Sequence, residues 1–112
     1  MAIDVGDVLV ALADPTRRQL LGVLAEQGRA SATALATRLP VSRQAVVKHL
    51  NVLESAGLVA GARAGREVLY QVRTDSVQES ARWLADLAAT WDRRLLAIKR
   101  AAEAPVAPDR ES

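Results

Sequence analysis

Residues 42–59 read SRQAVVKHLNVLESAGLV, and this stretch decides the fold. Ser42 is a residue type that caps helix N-termini, because its side-chain oxygen can accept from a free backbone N–H. Behind it, Val46, Leu50 and Leu53 fall on one face at helical spacing. Gly57 is placed to end the helix, which predicts a span of roughly 43–56. Arg43, Gln44, Val47, Lys48 and Asn51 lie on or near the opposite face. A helix in the DNA major groove must present donors and acceptors from its N-terminal half. Arg suits guanine and Gln suits adenine, since each can form two parallel hydrogen bonds, and Val47 can meet a thymine methyl. Any solvated helix carries such residues, so the flanking sequence has to decide.

Upstream, Ser31 can cap a short helix over 32–39, with Leu35 and Leu39 inward and Pro40-Val41 as the break. Two short helices joined by a tight turn form a helix-turn-helix unit. Earlier still, Val5, Val8, Leu9 and Leu12 predict a first helix within 3–13. Asp14 then serves as N-cap and Pro15 as first residue of a second helix, which runs to about Gln27 and stops at Gly28.

Downstream, the period changes. Leu58-Val59 and Val68–Val72 read as strands. Residues 60–67 read as a turn-rich basic tip holding Arg63 and Arg66 beside Gly61 and Gly65, where glycine lets backbone approach a phosphate. The expected fold is mainly α with a small β-hairpin: a winged helix-turn-helix of five to six helices plus a two-stranded antiparallel wing. The final helix, from Asp75 to about Ala102, carries Val77, Ala81, Leu84, Ala88, Trp91, Leu95 and Ile98 in an alternating 4-3 spacing. That stripe extends about 33 Å, long for so small a core to cover. Two copies packed across a two-fold axis would bury both stripes, and would set two recognition helices about one DNA turn apart, on an inverted-repeat operator. Residues 1–102 are read as one DNA-binding and dimerisation domain, and 103–112, rich in Pro and polar residues, as a disordered tail.

Composition agrees. The chain has 112 residues, half of them hydrophobic, with only 3% aromatic, so the core is built from Ala, Leu and Val and one domain is expected. Residues 38–73 carry six cations against two acids, while the segments on either side are each net negative by one. A central basic block is the footprint of a polyanion-binding surface. With no Cys and one His (His49), disulfides, thiolate metal sites, cysteine nucleophiles and multi-histidine sites within a chain are excluded. His49 is left with two roles, packing beside the core or touching a DNA phosphate. No nucleophile arrangement and no phosphate-binding glycine loop occurs, so catalysis and cofactors are not expected. No apolar run approaches the ~18 residues of a membrane span, and residues 1–7 lack a basic signal-peptide start, so a cytoplasmic protein with no membrane partner is expected.

The stretch 12–18, LADPTRR, followed by Leu20-Leu21, resembles the opening of the arsenic-repressor (ArsR/SmtB) family of bacterial regulators. Leu35-Ala36 with 41–59 is similar to that family's recognition-helix signature, and Gly65-Arg66 with Val68-Leu69-Tyr70 resembles its wing. The likeness covers about residues 8–100. It implies a homodimeric winged-helix transcriptional repressor with dimer contacts through the first and last helices; Val8, Leu9, Leu84, Ala88, Trp91 and Leu95 are the interface candidates. It implies DNA contacts at Ser42, Arg43, Gln44, Val47, Lys48, His49, Arg63 and Arg66. Val47 stands where the family pattern has Ser. Ser31 and Thr33 stand where thiolate sensors of the family carry their cysteines, and Val77 where zinc sensors carry a histidine. The resemblance therefore points to a branch without the family's thiolate or histidine metal sites. Release by a small-molecule inducer, by a protein partner or by no ligand all stay open. The alternative reading is a winged-helix interaction and dimerisation module without sequence-specific DNA binding.

Overall fold

The computed structural model describes residues 3–104. Five helices and three strands follow in the order α1 (Val5–Ala13), α2 (Pro15–Gln27), β1 (Ala30–Ser31), α3 (Ala32–Ala36), α4 (Arg43–Ser55), β2 (Val59–Ala64), β3 (Glu67–Val72) and α5 (Asp75–Glu103). Residues up to Ala81 form one unit, and the remainder of α5, from Arg82, forms a second.

Side-chain caps fix the helix starts, because the first N–H groups of a helix have no partner within it. Asp14 accepts from the N–H groups of Thr16 and Arg17 at 2.7 and 3.1 Å. Ser31 accepts from Ala34 N and Ser42 from Ala45 N, both at 3.1 Å. The end of α4 is equally specific. Gly57 N donates to Glu54 O and Leu58 N to Leu53 O, the paired bonds of a Schellman motif. Gly57 takes the positive φ of 76° that this motif needs, and buried Leu58 drops into the core behind it.

That core is aliphatic. Val46, Leu50 and Leu53 of α4 meet Leu20 and Leu24 of α2, Leu35 of α3 and Val8 of α1, all fully buried. Their burial fixes which face of α4 points outward.

The strands differ from the sequence expectation. Residues 60–67 are mostly ladder, with Ala64 paired to Glu67 and only Gly65 and Arg66 between them. Gly65 has φ 64° and Arg66 is not positive, as a type II′ hairpin turn requires. Ala and Gly have weak strand propensity, which hid β2; backbone pairing to β3 overrides it. The sheet also has three strands rather than two, in the order β1-β3-β2, because Ala30 and Ser31 pair with Tyr70 and Leu69. α3 ends at Ala36, not at 39, where Thr37 Oγ1 donates back to Ala34 O. α5 runs to Glu103, one residue past the expected end at Ala102, so Glu103 is helical and not part of a tail; residues 105–112 of the expected tail lie outside the described residues. Among the described residues, no helix is long and apolar enough to cross a membrane.

Candidate nucleic-acid interface

With Val46, Leu50 and Leu53 inward, α4 turns Arg43, Gln44 and Lys48 to solvent, with Val47 half-buried at their edge. Ser42, also exposed, is occupied as the N-cap. Arg43 is the first helical residue, and its Nε donates to Thr33 Oγ1 of α3 at 3.0 Å.

The wing approaches this end of α4. Thr33, Arg43, Val47, Arg66, Glu67 and Tyr70 line one cleft of ≈ 340 Å³. Arg66, at the hairpin tip, and Arg43, at the helix start, are thus brought to a common cleft from sites 23 positions apart. Arg63 is exposed on β2 opposite Val68, within the ladder rather than in a loop. The glycines divide their roles. Gly65 makes the turn, whereas a Cβ on Gly61 would lie 2.9 Å from Tyr70 Cε1 and 3.0 Å from Val68 Cγ1. The hydrogen of Gly61 makes room for the cross-strand tyrosine, so its place is explained by packing and not by approach to a phosphate.

Comparison with known proteins bears on this geometry. A family model described as a helix-turn-helix domain matches residues 12–62. The transcriptional repressor SdpR of Bacillus subtilis is 32% identical over 78 residues, which cover 70% of this chain and 86% of SdpR. An ArsR-like transcriptional regulator from Rhodococcus sp. RHA1 superposes with a TM-score of 0.81 at 46% identity, over 90% of this chain and 94% of that one. The chain belongs to the ArsR/SmtB family. The homodimeric winged helix-turn-helix DNA-binding domain of a Mycobacterium bovis protein is a further neighbour, with a TM-score of 0.59 at 32% identity, covering 81% of each chain. ArsR/SmtB proteins are transcriptional regulators and not enzymes, and the winged helix-turn-helix expected from the sequence is present.

Within this family member, the LADPTRR stretch also has a structural use. Arg17 Nε donates to Ala11 O at 2.8 Å and Nη2 to Val10 O at 3.1 Å, while Arg18 Nη1 donates to Leu12 O at 2.6 Å. The two arginines at the start of α2 thereby serve three of the four free carbonyls at the end of α1, those of Val10, Ala11 and Leu12. The Arg17 backbone N–H holds the Asp14 carboxyl below the usual range, helped by the Thr16 N–H and the Arg17 charge and opposed by desolvation. The sequence signal was available: two cations placed just beyond a helix end.

His49 is half-buried, with Nδ1 at 3.4 Å from Arg17 Nη1, whereas Arg43 and Lys48 are exposed. Val8 needs a correction as an interface candidate: it has no exposed surface, being spent in its own chain's core. Leu9, one residue on, is 41% exposed, and Leu84, Trp91 and Leu95 are 44%, 57% and 63% exposed. Ala88 is exposed as well. The two thiolate positions are otherwise engaged, Ser31 as the cap of α3 and Thr33 with Arg43. Among the described residues, no three His, Cys, Asp or Glu side chains gather into a metal-binding group.

Proposed function

We propose that the chain is a homodimeric transcriptional repressor that occludes a promoter by binding an inverted-repeat operator. The observation that carries this is the common cleft of Arg43, Val47 and Arg66, which joins a base-reading helix end to a basic wing tip. Arg43, Gln44, Val47 and Lys48 read base edges. Arg63 and Arg66 hold backbone phosphate or the minor groove, and Ser42 adds a backbone contact. Leu9 and the α5 stripe of Leu84, Ala88, Trp91 and Leu95 form the dimer contact. Large exposed apolar side chains in such a run are the mark of a protein interface. That the Bacillus relative is a transcriptional repressor and the Mycobacterium domain homodimeric supports both halves of the reading. Its release from DNA does not use thiolate or histidine metal ligands, since the corresponding positions hold Ser31, Thr33 and Val77.

Charge reversal tests the reading. An Arg43→Glu, Lys48→Glu double variant loses DNA binding while light scattering still reports a dimer. A double variant that keeps wild-type affinity overturns the assignment of α4 as the reading helix.

A further inference from the structure

We propose that Thr33 is a positioning residue that sets how Arg43 reads guanine. The inference rests on the DNA-reading role given to Arg43 above. Arg43 begins α4, the end of a recognition helix that meets base edges. Its side chain is exposed and long, and such a side chain ordinarily samples many rotamers. Here it is tied across the turn between the two helices: Nε donates to Thr33 Oγ1 at 3.0 Å, and Thr33 is itself held on α3, whose first turn is capped by Ser31.

The consequence follows from the shape of the guanidinium. It offers five N–H groups in a fixed plane, and a bidentate contact uses either the side fork, Nε with one Nη, or the end fork, Nη1 with Nη2. With Nε donated to Thr33, the side fork is engaged and the end fork remains for a base. Guanine presents O6 and N7 as paired acceptors in the major groove. Thr33 thus leaves Arg43 with one reading geometry and removes part of the rotamer freedom that it would otherwise lose on binding. Thr33 touches no base in this scheme; it acts through Arg43.

The probe is a duplex selected by the wild-type protein from a randomised pool, with each guanine in turn replaced by 7-deazaguanine, which lacks the N7 acceptor. The replacement is expected to weaken wild-type binding about tenfold at one guanine per half-site. Arg43→Ala abolishes that sensitivity. Thr33→Val, which keeps the shape and removes the hydroxyl, reduces the penalty to about twofold or less. It leaves the salt dependence and affinity for random DNA unchanged. Thr33→Ser, which keeps the hydroxyl, restores the full penalty. Thr33 is exposed, so both variants are expected to fold, and circular dichroism checks this. If Arg43→Ala loses the sensitivity while Thr33→Val keeps it, the positioning role is wrong and the DNA-reading role stands. If Thr33→Ser fails to restore it, the hydroxyl is not the determinant. If no guanine replacement affects the wild type, or if Arg43→Ala stays sensitive, the guanine contact itself is wrong and the inference falls with it.

Discussion

Arg17 Nε donates to the carbonyl oxygen of Ala11 at 2.8 Å, so α2 closes the open end of α1. Its side chain is only 15% exposed, and the carbonyls it serves cannot all turn to water. Arg17→Met retains the packed stem and removes the donors. It is expected to destabilise the protein by about 1–3 kcal/mol, the cost of leaving such groups unpaired. Lys at this position should recover little, because one ammonium cannot span carbonyls that a planar fork reaches together. Urea unfolding at fixed protein concentration measures the loss; a variant as stable as wild type removes the clamp from the account.

Asp14 gives a pH dependence. Its carboxyl is held below its ordinary range by the Arg17 and Thr16 N–H groups. The unfolded chain therefore binds this proton more readily than the folded one. The contribution is fully present above the unfolded pKa, about 4, and is lost as pH falls through the lower folded value. Asp14→Ser keeps a neutral cap. It is expected to flatten the acid limb of stability below about pH 4 relative to wild type, while the curve near pH 7 keeps its shape. Thermal unfolding across pH checks this, and parallel acid limbs in both proteins would refute it.

Gly61 and Tyr70 are coupled across the hairpin. A methyl at Gly61 would meet the Tyr70 ring at 2.9 Å. Gly61→Ala is expected to cost about 1–3 kcal/mol through overpacking. Tyr70→Ala combined with it should cost less than the sum of the two single changes, because the smaller residue removes the clash. Strict additivity in a double-mutant cycle would show that the contact does not govern the wing.

The helical half of this fold is written in local chemistry. Asp14, Ser31 and Ser42 announce three helix starts, and Gly57 marks an end, because caps act within a few residues of themselves. The outward set of α4 is legible for the same reason: burying Val46, Leu50 and Leu53 decides where Arg43, Gln44 and Lys48 point. What was not legible depends on partners distant in sequence. The third strand exists because Ala30 and Ser31 meet Tyr70 and Leu69 some forty positions on. β2 extends through Ala and Gly because β3 pairs with it. Val8 and Leu9 both look like interface residues in an apolar run, and only packing separates the buried one from the exposed one. The hydrogen bond from Arg43 to Thr33 needs the turn between α3 and α4 to be built before it can be seen.

Arg66 and Gln44 should fail differently. Arg66→Ala, one change per protomer, is expected to weaken binding to all sequences and to reduce the slope of log affinity against log salt by about 2 per dimer. Gln44→Ala is expected to leave that slope alone and to relax preference at one base pair per half-site, worth about 1–3 kcal/mol. Equal losses on selected and random DNA in both variants would show that these roles are misassigned.

The most direct measurement is a fluorescence anisotropy titration of the purified protein on DNA from its own upstream region, at two salt concentrations and against random competitor. A dimeric operator-binding repressor gives tight binding that survives competitor, at two chains per site, with a steep salt dependence. Weak binding that vanishes at modest salt and is erased by random DNA would contradict that reading, leaving a basic patch on a winged helix that serves a protein partner instead.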